Sequence, residues 1–65
     1  MFKYFINASK GFEGESIAIN QSKIATVIEF RPEEGEPVTI LYALNGNSWE
    51  VKDPYLEVVA RLNEV

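Results

Sequence analysis

The sequence predicts a small α+β domain: an antiparallel sheet of about five strands closed by one C-terminal helix. Three features carry that expectation. Short β-branched and aromatic runs recur through residues 2–52, each bounded by Gly, Pro, Asn or Ser. Asn45-Gly46 separates two of these runs, and a tight hairpin turn favours that dipeptide because both residues tolerate positive φ. After Pro54 the apolar period lengthens from the strand value to the helical one.

The first strand is expected over residues 2–8, with Phe2, Tyr4 and Ile6 alternating as its buried face. Gly11 and Gly14 mark a turn, in which Phe12 either folds onto the core or stays exposed. Residues 16–20 form the second strand, with Ile17 and Ile19 on one face, and the two segments can pair as a hairpin. The polar stretch 20–23 is turn-prone, since Asn and Ser side chains bond nearby backbone. Residues 24–31 carry Ile24, Thr26, Val27 and Ile28 and read as the third strand. It stops at Arg31-Pro32-Glu33-Glu34-Gly35-Glu36-Pro37, whose prolines, glycine and acids suit neither helix nor strand.

The fourth strand, 38–44, is the most hydrophobic stretch, and the fifth follows at 48–52. Two registers are open between them. A two-residue loop at Asn45-Gly46 sets Tyr42 opposite Trp49 and Ile40 opposite Val51. A three-residue loop with a bulge instead places Leu41 and Ala43 on the face of Trp49 and Val51. Residues 38–44 are apolar on both sides, as in a strand covered on both faces.

The helix is expected over 54–64. Asp53 suits the N-cap and Pro54 the first helical position, where a missing N–H costs nothing. Tyr55, Val58, Val59, Leu62 and Val65 make one apolar stripe, and Glu57 and Arg61 stand four apart on the other side. No linker or repeat interrupts residues 1–65, which read as one domain.

From Ile17 onward these pieces form an ordered series. Ile17-Ala18-Ile19-Asn20 is followed by Ile24 four residues after Asn20, then Val27, the Pro/Glu/Gly turn and an apolar strand. Asn45-Gly46, Val51 and Tyr55-Leu56-Glu57-Val58-Val59 complete it. Over residues 17–65 the series resembles the small bacterial FlbD-like family. The resemblance implies a strand-rich fold with a terminal helix and a bacterial or phage origin. The family's implied role is flagellar or motility regulation without an established active site. The segment through Phe5 and Gly14 is longer than the family pattern.

Composition narrows the function. The 65 residues contain neither Cys nor His, which removes disulfides and the usual zinc, haem and iron–sulfur ligands. A net charge of −4, with the six Lys and Arg scattered, disfavours a phosphate backbone as partner. No apolar run is long enough to span a bilayer and nothing resembles a signal peptide, so the expected compartment is cytoplasmic. Glu33, Glu34 and Glu36 lack EF-hand spacing and read as a solvated turn. Glu29, within an apolar strand, is expected to face solvent or pair with Lys52 or Arg31.

No catalytic or metal-binding residue and no cofactor is therefore predicted. The expected role is that of a non-enzymatic protein-interaction or regulatory module. One short helix covers only one side of a sheet, so the other side is expected to be covered by a second copy, a dimer being favoured. The predicted interface, on the exposed side of the sheet, comprises Phe5, Phe30, Leu41, Tyr42 and Trp49. The alternative is a small acidic inhibitor or regulator of a host enzyme or nucleic-acid machine.

Overall fold

Five short strands and one helix appear in the order expected. The computed structural model describes residues 1–64; Val65, assigned above to the helical stripe, lies outside the described residues. The strands are β1 (Phe2–Ile6), β2 (Ser16–Asn20), β3 (Ile24–Phe30), β4 (Val38–Ala43) and β5 (Ser48–Val51), and the helix α1 is Tyr55–Leu62. A single 3₁₀ turn, Gln21–Lys23, joins β2 to β3, with Asn20 Oδ1 accepting from Ser22 N–H at its start.

The strands do not form one sheet. β1 and β2 make a two-stranded antiparallel sheet, and β3, β4 and β5 make a three-stranded antiparallel meander. The expectation of one five-stranded sheet fails where β1 meets β5. Ala8 N–H donates to Glu50 O (2.9 Å) and Lys52 N–H to Ile6 O (2.8 Å), leaving only the bridge Asn7–Val51 between the sheets. β5 has four residues, and the chain then turns through Asp53 into α1, so β1 meets only its end. Side chains satisfy two more groups of that β1 edge. Asp53 Oδ1 accepts the Ile6 N–H (2.7 Å), and Arg61 Nη1 donates to the Tyr4 carbonyl (2.8 Å).

Asp53 is consequently not the helix cap. Pro54 occupies the N-cap position without a side-chain cap bond, and α1 begins at Tyr55. The carboxylate recruited by β1 also pairs with Arg61 (3.1 Å), while the Asp53 carbonyl accepts from the buried Thr39 hydroxyl (2.8 Å). At the other end of α1, Gln21 Nε2 donates to the carbonyls of Leu62 (3.0 Å) and Glu64 (2.9 Å), which have no acceptor role left inside the helix.

The core is Phe5, Ile19, Leu41, Val51 and Val58, with Ile17, Ile24, Val27, Trp49 and Leu62 packed around it. α1 lies on β3 and β4. A β-bulge between Ile24 and Thr26 reverses the alternation, so that both Ile24 and Val27 reach this inner side.

β1 presents the opposite face to the one predicted. Phe5 is buried, whereas Phe2, Tyr4 and Ile6 are exposed. The pairing explains the inversion: Ile17 and Ile19 point inward, and their partners across the ladder are Phe5 and Lys3. Residues directly opposite share a face, so the even residues of β1 must point outward.

At the β4–β5 turn the three-residue loop is realised. Leu41 stands opposite Trp49 and Thr39 opposite Val51, with Ala43 N–H donating to Asn47 O (2.8 Å). Gly46 takes φ of 92°, the left-handed residue that this loop needs. A Cβ there meets nothing within 4 Å, so Gly46→Ala costs backbone strain alone. We expect about 1 kcal/mol of lost stability by urea titration. An unchanged midpoint would show that the loop re-forms without a left-handed residue.

Candidate interaction surface

The three-residue loop decides which side chains of β4 face solvent. Thr39, Leu41 and Ala43 turn inward and are buried; Val38, Ile40 and Tyr42 turn outward. On β3 their partners are Phe30, Ile28 and Thr26 respectively. The outer side of the meander therefore carries two directly opposed apolar pairs, Phe30–Val38 and Ile28–Ile40, with Tyr42 beside them. Cross-strand neighbours of this kind hold one another in place and need no cover to stay ordered.

Phe30 is 50 % exposed, Ile28 38 % and Tyr42 36 %, while Val38 and Ile40 are half-buried. On β5 the outward residues are Ser48 and Glu50, so the apolar cluster is bordered by polar side chains. A contiguous apolar patch with a polar rim is how protein contact surfaces are built.

Of the five residues predicted for the interface, only Phe30 and Tyr42 lie on this face. Phe5 and Leu41 are core residues, 1 % and 0 % exposed. Trp49 opposes Leu41 on the inner side and is half-buried against the core. Phe5 and Leu41 are corrected from interface to interior; Trp49, partly buried, lies on the inner side and not on this face. Ile28, Val38 and Ile40 complete the face and were missed. Their positions are legible only once the loop length at Asn45-Gly46 is known, because a shift by one residue sends each side chain to the other face.

Two further apolar features arise from the split between the sheets. The outer side of β1 shows Phe2 (58 % exposed) and Tyr4 (66 % exposed). Between β2 and the tip of the β4–β5 hairpin lies a groove of about 590 Å³ lined by Ile17, Ile19, Leu44 and Trp49 among others, with Lys23 its one charged residue. A lone ammonium among aliphatic and amide groups supplies no acid–base pair and no nucleophile–base arrangement.

Among the described residues, no group of three or more His, Cys, Asp or Glu is placed to hold a metal ion. Glu33, Glu34 and Glu36 are exposed in their turn. Glu29 pairs with Arg31 at 2.9 Å on the surface, a contact worth a few tenths of a kcal/mol, roughly, once solvent screening is counted. No helix among the described residues is long and apolar enough to cross a membrane. Compared with known proteins, the chain matches no family model, no curated protein and no solved structure.

Proposed function

We propose that this chain is a non-enzymatic protein-interaction module that self-associates through the outer side of its three-stranded sheet. The observation behind this is the cluster Ile28, Phe30, Val38, Ile40 and Tyr42, held in register across β3 and β4 and open to solvent. Covering such side chains releases roughly 25 cal/mol for each Å² of apolar surface removed from water. A two-fold contact places the same cluster on both partners, so apolar meets apolar without any further complementarity.

Phe30→Asp tests it. Phe30 lies at the end of β3 and half of it is in water, so the substitution leaves the core intact. In a face-to-face assembly it brings two carboxylates into an apolar contact. We expect the dissociation constant by sedimentation equilibrium to rise about tenfold or more. Wild-type and Phe30→Asp chains that associate equally well would remove the outer face from consideration.

A further inference from the structure

The edge of β2 that faces away from β1 meets no strand among the described residues, and its chemistry selects one occupant. At the two ends of the β1–β2 ladder, Asn7 N–H donates to Glu15 O (2.8 Å) and Gln21 N–H to Met1 O (3.0 Å). Bonded and non-bonded pairs alternate along an antiparallel ladder, so the odd residues of β2 bond β1. The N–H and C=O groups of Ser16 and Ala18 and the N–H of Asn20 consequently point the other way, and no strand among the described residues pairs with them; the Asn20 carbonyl is engaged in the 3₁₀ turn that it caps.

The space beside them is a groove whose far wall is the tip of the β4–β5 hairpin. The groove already described touches Ile17, Ala18, Ile19 and Asn20 in succession. Neighbouring residues of a strand lie on opposite faces, so a cleft meeting all four must run along the strand's edge. Residues 16–20 also lack the side-chain devices that blunt an edge: they contain no Lys, no Pro and no charge, and their register shows no bulge.

This edge complements itself. In an antiparallel pair centred on Ala18, Ser16 faces the partner's Asn20, Ile17 faces the partner's Ile19, and Ala18 faces the partner's Ala18. Ala18 then meets the partner's Ala18 as a doubly bonded pair, and on either side an Asn20 N–H donates to the partner's Ser16 carbonyl. Each isoleucine meets an isoleucine on the inner side, and the smallest side chain sits on the axis. Charge agrees with this direction. Glu13 and Glu15 precede β2 and Lys23 follows it, so antiparallel pairing brings opposite charges together at both ends. Parallel pairing would set like beside like.

We infer that β2 joins two copies of this chain, antiparallel about Ala18, into a continuous four-stranded sheet with β1 of each copy outermost. This contact is distinct from the outer face of β3 and β4, and either can fail without the other.

Cross-linking reads the geometry directly. The chain has no cysteine, so Ala18→Cys introduces its only thiol. Bonded antiparallel partners have Cα atoms about 5.5 Å apart, inside the roughly 4.4–6.8 Å that a disulfide spans. Under mild oxidation we expect Ala18→Cys to form a covalent dimer at least about tenfold faster than Leu56→Cys, because pairing raises the effective thiol concentration. Leu56 is a fair control, being 78 % exposed on α1.

Charge exchange reads the same contact without chemistry. Ala18 is exposed on the outer side, so Ala18→Lys and Ala18→Glu spare the core. Each alone sets like charges opposite one another and is expected to lose one step of association; mixing the two restores it. Equal cross-linking rates at positions 18 and 56, or unchanged mass in both charge variants, overturn the β2 contact and leave the outer face standing. Association abolished by Ala18→Lys but untouched by Phe30→Asp supports β2 and rejects the outer face. A wild-type chain that sediments as monomer at every concentration and does not cross-link at position 18 overturns both.

Discussion

Phe5→Ala is expected to leave most of the chain unfolded at room temperature. Phe5 is the largest side chain of the core, 1 % exposed, and it fills the space between the two-stranded sheet and β4 and β5. Removing a buried phenyl ring costs about 3–5 kcal/mol, the lost transfer energy plus the cavity left behind. A domain of this size has about 3–10 kcal/mol in all, at 0.05–0.15 kcal/mol per residue. The ring also lies under the Arg61 guanidinium, 5.4 Å from its centroid, so the charge loses a favourable face as well.

The measurement is far-UV circular dichroism with urea titration. An interface residue would behave differently: its alanine variant would keep native secondary structure and lose only association. A folded, monomeric Phe5→Ala protein would therefore return Phe5 to the surface. Leu41→Ala is expected to follow the same course with a cost of about 2–5 kcal/mol, since Leu41 is wholly buried opposite Trp49.

The second large effect is expected at Asp53. Its carboxylate accepts from the Ile6 N–H and from Arg61, and Arg61 reaches on to the Tyr4 carbonyl and to Glu57. One side chain thus ties β1 to α1 across the corner where the two sheets part. Asp53→Ala leaves the Ile6 N–H without its acceptor and takes one of two carboxylates from Arg61, which keeps Glu57 and the Tyr4 carbonyl. The expected loss is about 2 kcal/mol, that of hydrogen bonds to a charged group, because Arg61 stays paired with Glu57 and a third of its side chain is in water.

Asp53→Asn separates the two bonds. Its Oδ1 still accepts from Ile6, while the amide cannot pair with the guanidinium, so roughly half of the loss should return by hydrogen-bond energetics. In a double-mutant cycle Asp53→Ala and Arg61→Ala should be non-additive by about 0.5 kcal/mol or more. A loss below about 1 kcal/mol for Asp53→Ala, with additive effects, would mean that β5 alone holds β1 in place.

The proposed self-association rests on the same small core. Among the described residues, six apolar residues and Thr39 are buried with a few more packed around them, while Phe2, Tyr4, Ile28, Phe30 and Tyr42 remain partly in water. A chain of this length buries only about 60 % of its unfolded surface, and a partner chain would add to its stability by mass action. Its two candidate contacts differ in kind. The outer face of β3 and β4 offers side chains, and the edge of β2 offers backbone.

Local chemistry in the sequence determined the elements. Alternation of apolar residues, the Pro-rich turn at 32–37, Asn45-Gly46 and the helical stripe after Pro54 place all five strands and the helix, with differences confined to their ends. The absence of His and Cys is likewise complete in the sequence. Tertiary structure alone decided which way each strand faces. Phe2, Tyr4 and Ile6 have the pattern of a buried face, yet Ile17 and Ile19 of the neighbouring strand claim the interior and turn them out. Asp53 has the position of a helix cap, yet an unpaired N–H of β1 claims its carboxylate. In both cases the deciding partner is remote in the chain: propensity selects an extended or helical backbone residue by residue, whereas face and register are set by hydrogen bonds and packing between segments that meet only when the chain has folded.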